Sequence, residues 1–245
     1  MTVIARRVSH GTLILAILLV ATACSTLPTD QLSQDRLAML LAQGKQEFRD
    51  RDMDRAILTF THAIELAPHS AEAWNARGYV KGQQGRTSDA VQDFSEAVQR
   101  HHENWVYRNN LGVAYLASGD PASALAVLDK AVELARTNSA PLIHRGLAYR
   151  HLGRLNEALA DLNAALALDN RNAVIYANRA VVYALQRELL SAQQDLERAL
   201  AIDKTIFQAY ESRGLIEMLT GRFDLAAKDF SQAIELGATD TVIYY

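Results

Sequence analysis

The sequence is poor in the residues that covalent bracing and charge-driven recognition require. One of its 245 residues is cysteine, so no disulfide can form within the chain, and 25 basic residues nearly balance 28 acidic ones. No long run of one charge occurs, and the electrostatic footprint of a nucleic-acid-binding protein is therefore missing. We expect no nucleic-acid partner.

Catalytic signatures are also missing. The sequence contains no G-x-G-x-x-G, no G-x-x-x-x-G-K-[ST], no H-E-x-x-H and no G-x-S-x-G, which mark nucleotide, zinc-peptidase and serine-hydrolase sites. His101, His102 and Glu103 are adjacent, and three consecutive residues in a turn cannot easily converge on one ion. We therefore predict that the protein is not an enzyme and uses neither a cofactor nor a metal.

The first residues have the layout of a secretory signal. Arg6 and Arg7 precede an apolar run over residues 13–20, and the small residues 21–23 follow it. The run is too short to span a membrane, and small residues are typical of a signal cleavage site. We predict a signal peptide over residues 1–23 and an exported protein.

Cys24 directly follows this segment and is the single cysteine. Its position resembles the lipid-modified cysteine of bacterial lipoproteins, although Ala21 stands where that signal usually has leucine. The resemblance implies lipidation of Cys24, a polar tether over residues 24–36, and, from Ser25, anchoring at the periplasmic face of the outer membrane. The alternative is that residues 21–23 form an ordinary cleavage site that releases a soluble periplasmic protein.

Small residues recur every 34 positions through most of the remaining sequence. They occupy three registers: Gly44, Gly78, Gly112, Gly146, Ala180 and Gly214; Ala56, Ala90, Ala124, Ala158, Ala192 and Ala226; and Ala63, Ala97, Ala131, Ala165, Ala199 and Ala233. A sustained period of this length indicates a solenoid of stacked supersecondary units.

Each unit contains two segments with helical spacing of apolar residues, joined by a turn that often holds glycine. Six units fit without insertion, over residues 37–70, 71–104, 105–138, 139–172, 173–206 and 207–240, and residues 241–245 remain. The pattern resembles the tetratricopeptide repeat, most clearly in the third unit, which has Leu111, Gly112, Tyr115, Ala124, Leu128 and Ala131 in the motif positions. The resemblance implies an all-α fold, a right-handed superhelix of six helical hairpins.

An arginine and an aspartate occur together in a unit or not at all. Four units carry the pair 16 positions apart: Arg77 and Asp93, Arg145 and Asp161, Arg179 and Asp195, Arg213 and Asp229. The other two units have Gln43 with Thr59 and Leu111 with Val127. Because the two positions face each other across an antiparallel hairpin, we predict four ion pairs between first and second helices, rather than an anion site.

The resemblance also places first-helix residues on the inner surface of the superhelix. Three rows follow there: Asn110, His144 and Asn178; Tyr79, Val113, Leu147, Val181 and Leu215; and Leu116, Arg150 and Met218, with His151 nearby. An apolar groove with a polar row along its floor favours an extended or helical peptide with apolar anchors. The alternative is that the polar residues bridge neighbouring helices and bind nothing.

The end of the array is the last sequence feature with a structural expectation. Tyr244 falls in the register of Trp74 and Tyr210, as if a seventh first helix had begun, and no polar capping element follows Phe230. Two expectations stay open: residues 241–245 fold back as a partial cap, or this end meets a partner or a second copy.

A lipidated signal followed by such repeats resembles the small lipoproteins of the tight-adherence (Flp) pilus and, more distantly, the type IV pilus pilotins. This resemblance implies a scaffold that holds a protein client of a pilus or secretion machine, with a secretin subunit as the client. The alternative client is a peptidoglycan hydrolase or synthase, for which the chain would be an adaptor.

Overall fold

The computed structural model describes residues 29–237, with side chains from residue 31 onward. This part of the chain contains twelve α-helices: α1 Thr29–Arg49, α2 Met53–Leu66, α3 Ala71–Gln83, α4 Thr87–Arg100, α5 Trp105–Ala117, α6 Pro121–Leu134, α7 Ala140–His151, α8 Leu155–Leu168, α9 Ala173–Leu185, α10 Leu189–Ile202, α11 Phe207–Leu219 and α12 Phe223–Glu235. Each odd-numbered helix packs on the even-numbered helix that follows it, and consecutive hairpins stack. The prediction of an all-α superhelical solenoid of helical hairpins is confirmed.

The turn inside each hairpin depends on one residue with left-handed backbone geometry. In four hairpins that residue is glycine, with φ near 75°: Gly85, Gly119, Gly153 and Gly221. In the first and fifth hairpins the same register holds Arg51, with φ 64°, and Arg187, with φ 68°. Because L side chains rarely adopt this region, these two arginines keep their conformation only through the packing of the helices on either side.

The core lies between the paired helices and is closed by the small residues of the repeat. Ala124 and Leu128 are completely buried where α5 crosses α6. At the anchor position, a Cβ added to Gly112 would lie 2.5 Å from the Leu128 Cγ atom. The period of small residues in the sequence therefore reflects how closely helix axes approach at each crossing.

The first helix begins earlier than the sequence analysis expected. Residues 29–36 were assigned to a polar tether, but α1 starts at Thr29. This segment contains neither proline nor glycine, and Gln31 Nε2 donates to Asp35 Oδ1 one turn later at 3.2 Å. Once Leu41 is buried against the second helix, the helix extends backward through these residues at little cost.

The described helices include none that is both long and apolar enough to cross a bilayer. The predicted signal peptide, Cys24, and residues 241–245 lie outside the described residues.

Candidate peptide-binding groove

All four arginine–aspartate pairs expected from the sequence are present. In each, Nε and Nη2 of the arginine donate to the two carboxylate oxygens of the aspartate, at distances of 2.6–2.8 Å. The four aspartates are buried, with exposed fractions of 2–7%. Bidentate pairing of this kind fixes the orientation of the two helices as well as their contact, so these residues position the inner surface and do not form an anion site.

In three of the four cases the arginine also reaches the preceding hairpin. Arg77 Nη1 donates to Thr61 Oγ1 at 3.1 Å, and Arg145 Nη1 donates to Asp129 Oδ1 at 3.0 Å. Arg179 Nη1 donates to Asn163 Oδ1 at 2.6 Å. The hydrogen bonds to the aspartates raise the pKa of Arg145, Arg179 and Arg213 above the ordinary arginine value. Arg77, Arg145 and Arg179 therefore each join three helices, an arrangement called a three-helix clip below, and each clip ties one hairpin to the preceding one.

A pocket opens on the inner surface among the first helices of repeats one to three. It has a volume of about 460 Å³ and is lined by Lys45, Phe48, Arg49, Phe60, Glu72, Asn75, Ala76, Tyr79, Val80 and Tyr107. The Phe48 and Tyr79 rings meet edge to face, with centroids 5.4 Å apart. Burial raises the pKa of the Tyr79 and Tyr107 hydroxyls, so both stay neutral near pH 7. A concave apolar surface with a few polar groups at its rim is typical of a ligand site.

Two polar groups at this pocket are held by neighbouring side chains. Asn110 Nδ2 donates to Asn75 Oδ1 at 2.9 Å, so the amide of Asn75 is oriented from the next first helix. Lys45 Nζ lies 2.7 Å from Glu72 Oε1, and about half of each side chain is exposed. The pocket therefore combines aromatic walls with one fixed amide and one exposed ion pair.

The polar row predicted for the groove floor is mostly buried instead, which corrects the expectation. Asn110 is completely buried and His144 is 8% exposed. His144 Nδ1 lies 2.8 Å from Asn109 Oδ1, so this pair joins α5 to α7 as Asn75 and Asn110 join α3 to α5. Asn110 and His144 therefore bridge neighbouring first helices, which was the alternative to their lining an open groove.

Asn178, the last member of the polar row, does not complete the series. Its Nδ2 donates to the Val174 carbonyl oxygen in its own helix at 3.0 Å. The position that would pair with it, by analogy with Asn75 and Asn109, holds the apolar Ile143. The polar bridge between first helices therefore ends at α7.

The two apolar rows differ in exposure along the array. Val113 and Val181 are 4% and 5% exposed, whereas Leu215 and Met218 are 37% and 48% exposed. Tyr79, Leu147 and Leu116 are half-buried. Of the predicted set, only Tyr79 lines the inner pocket described above. The expectation that the apolar rows line an open groove is therefore wrong for Val113 and Val181, which belong to the core.

Arg150 and His151 occupy the middle of the array at the end of α7. Burial lowers the pKa of the Arg150 guanidinium, and burial together with Arg150 lowers the pKa of His151. Arg150 Nη2 lies 3.4 Å from His151 Nε2, and none of the ion pairs found among the described residues involves Arg150. This half-buried cation is available to an acidic group.

Phe48 and Asn75 are two of the pocket residues that the sequence analysis missed. The 34-residue period could have predicted Phe48, because it lies in the same register as Leu116, with Gly82 between them. Asn75 gives no signal of its own, since its role depends on Asn110 in the next repeat.

No group of three or more histidine, cysteine, aspartate or glutamate side chains in the described range is arranged to hold a metal ion. His101, His102 and Glu103 are exposed in the turn between α4 and α5.

The last described hairpin leaves large apolar side chains in solvent. Phe223 and Ile234 are each 68% exposed, and Leu190 on the preceding hairpin is 72% exposed. Phe230 itself is half-buried against α11.

These features define a class of protein, a helical repeat array with a pocketed inner groove. Two models of the tetratricopeptide repeat match the sequence, one over residues 76–141 and one over residues 146–186. These two segments of the chain are therefore tetratricopeptide repeats, and proteins built from such repeats generally act as scaffolds for protein–protein interaction.

Comparison with known proteins gives one relative in sequence and several in structure. The chain is similar to heat shock protein STI1 of Saccharomyces cerevisiae, with 33% identity over 99 residues, which are 40% of this chain and 17% of that protein. A tetratricopeptide repeat protein from Parabacteroides merdae superposes with a TM-score of 0.72 at 20% identity, covering 83% of this chain and 79% of the other. PilF of Pseudomonas aeruginosa superposes with a TM-score of 0.66 at 17% identity, covering 85% and 96%. The two structural similarities show a shared fold.

Proposed function

We propose that the protein is a non-catalytic scaffold whose inner groove binds a segment of a protein client, with the pocket at repeats one to three as its principal contact. The observation that carries this proposal is the 460 Å³ pocket, because its apolar walls remain open after the array has formed its own core. Phe48, Tyr79 and Tyr107 supply aromatic surface of the kind that dominates protein interfaces.

The pocket favours a client segment with one large apolar side chain. That side chain would enter the pocket and pack against the Phe48 and Tyr79 rings, while the oriented amide of Asn75 bonds the client backbone. The Lys45–Glu72 pair at the rim suits a polar flank. Farther along the groove, Arg150 suits an acidic residue, since a half-buried guanidinium binds carboxylates well.

We further propose that the scaffold is anchored by lipid on Cys24 at the periplasmic face of the outer membrane, and that its client is a secretin or another component of a pilus or secretion machine. The signal layout of residues 1–24 supports the anchor. The resemblance to Flp-pilus lipoproteins and pilotins supports the client.

Site-specific photocrosslinking in living cells tests the groove and the client together. A photoreactive residue at Arg49, exposed and lining the pocket, should capture the client, whereas one at Gln99, exposed on α4, should not. Ala76→Gln, which narrows the pocket, should reduce capture from position 49. Capture of a secretin supports the proposal, and capture of a murein hydrolase or synthase supports the adaptor function. Equal capture from both positions would remove the groove from the mechanism.

The anchor requires a separate experiment. Cells labelled with radioactive palmitate should incorporate label into the wild type and not into Cys24→Ser. The variant should leave the outer-membrane fraction, and retention of Cys24→Ser in that fraction would contradict lipid anchoring.

A further inference from the structure

A buried glutamate at the junction of repeats five and six occupies the place of a lysine four repeats earlier. In repeat two, Lys81 lies one turn after Arg77, and its Nζ atom bonds Asp93 Oδ2 at 2.8 Å, with 12% of the Lys81 side chain exposed. The corresponding residues of repeat six are Arg213, Glu217 and Asp229. Repeat six therefore has a second carboxylate where repeat two has an ammonium group.

Glu217 is buried without a full set of partners. It is 8% exposed, and its Oε2 atom has no hydrogen-bond partner in the described chain. Burial, and then the nearby Asp229 carboxylate, raise the pKa of Glu217. A buried carboxylate oxygen with no donor is costly to the fold, so a donor supplied from outside would be bound favourably.

The space beside Glu217 is open. A cavity of about 540 Å³ lies between α10 and α11. Its aliphatic lining residues are Leu189, Leu196, Leu200 and Ile216, and its polar lining residues are Gln193, Glu197, Arg213, Glu217, Thr220 and Arg222.

This junction also lacks the hydrogen bond from the arginine to the preceding hairpin that Arg77, Arg145 and Arg179 form. Arg213 bonds Asp229, and no bond from Arg213 to Glu197 is formed, although Glu197 holds the position of Thr61, Asp129 and Asn163.

The charges around this cavity do not balance. Glu197, Glu217 and Asp229 are three carboxylates, against the two guanidinium groups of Arg213 and Arg222. Arg213 is committed to Asp229, and Arg222 Nε donates to Thr220 Oγ1 at 3.1 Å. Repeat six therefore lacks the second cation that Lys81 supplies beside Asp93 in repeat two.

We propose that this cavity binds a lysine side chain of a partner protein. The aliphatic stem of the lysine lies along Leu196, Leu200 and Ile216, and its ammonium group donates to the carboxylates of Glu217 and Glu197. A primary ammonium on an unbranched chain is favoured because Lys81 forms the same contact within repeat two. The site is independent of the inner groove, so it adds a second contact for a client or a contact for another protein.

A small-molecule titration tests the chemistry without knowledge of the partner. Nα-acetyl-lysine methylamide is added to the full chain at constant ionic strength, and methyl resonances of Ile216, Leu196 and Leu200 are followed by NMR. We expect saturable shifts, and the Nε-acetylated probe, which lacks the charge, should bind at least about tenfold more weakly. Absence of saturable shifts, or equal shifts with both probes, would overturn the proposal.

Three variants complete the test. Glu217→Gln should keep the fold and weaken the lysine probe about tenfold. Glu217→Lys recreates the Lys81 arrangement against Asp229, so it should abolish probe binding and raise the melting temperature; a lower melting temperature contradicts the internal comparison. If Arg222→Ala binds the probe and the wild type does not, Arg222 is the cation of Glu217 and the proposal fails.

Discussion

Arg145 holds Asp161 through two hydrogen bonds of 2.7 Å and reaches Asp129 of the preceding hairpin at 3.0 Å. Asp161 is 6% exposed, so this partner supplies the hydrogen bonds that its buried carboxylate needs. One residue therefore joins three helices, and the same unit recurs at Arg77 and Arg179.

Removing one member of this pair should cost far more than replacing both. Asp161→Ala leaves the Arg145 guanidinium partly buried and should lower the free energy of unfolding by about 3–5 kcal/mol. The double change Arg145→Leu with Asp161→Val copies Leu111 and Val127 of repeat three, and should stay within about 2 kcal/mol of the wild type. Urea denaturation measures both. A double variant as unstable as the single one would contradict this account.

The anchor glycines should respond unequally to alanine. A Cβ at Gly112 would lie 2.5 Å from Leu128 Cγ, and Gly112→Ala should destabilise by about 1–3 kcal/mol. At Gly146 the nearest atom, Leu162 Cγ, is 3.2 Å away, and Ala180 already fills this register in the next repeat. Gly146→Ala should be neutral or stabilise by up to about 1 kcal/mol, because alanine favours the helix. Thermal denaturation measures both variants. A lower melting temperature for Gly146→Ala than for Gly112→Ala would contradict the prediction.

Arg187 should be replaceable by glycine with a gain in stability. Its φ of 68° is the geometry that glycine adopts in four other hairpin turns, and relief of the side-chain strain should stabilise by about 1 kcal/mol. Glu188→Gly is the matched control, since φ is −87° at that residue and glycine there should only add entropy to the unfolded chain. The expected order of melting temperatures is Arg187→Gly above wild type above Glu188→Gly.

His144 should make the stability depend on pH. Burial lowers its pKa from 6.5 to about 4, so the unfolded chain binds a proton on this residue at a higher pH than the folded chain does. Its contribution is fully present above pH 6.5 and is lost as the pH falls toward 4, with a loss of about 3 kcal/mol at the low end.

The matched variant for this prediction is His144→Asn, because asparagine occupies the same register at Asn110 and Asn178. The free energy of unfolding should fall less for this variant than for the wild type between pH 7 and pH 4. His102→Asn, in the exposed turn before α5, should leave the wild-type slope unchanged. Equal slopes for all three proteins would show that His144 is not the group involved.

The sequence by itself determined the architecture and the four ion pairs. The architecture and the ion pairs both depend on contacts that recur within each hairpin. Gly112 contacts Leu128 in one hairpin, and Arg145 contacts Asp161 in the next. Residues 16 positions apart in an antiparallel hairpin have only one way to meet, and their types can be compared between repeats without knowing how the hairpins stack.

Only the tertiary structure decided which inner residues remain open to a client. Val113 and Leu215 share one register, yet the first is 4% exposed and the second 37%, because exposure depends on the neighbouring first helices rather than on the hairpin itself. The same reason buries His144 against Asn109 and leaves the pocket beside Phe48 and Tyr79 open. Contacts between hairpins depend on the side-chain volumes of three successive helices, and these volumes differ from repeat to repeat. The groove is therefore not uniform along the array, although the repeat itself is.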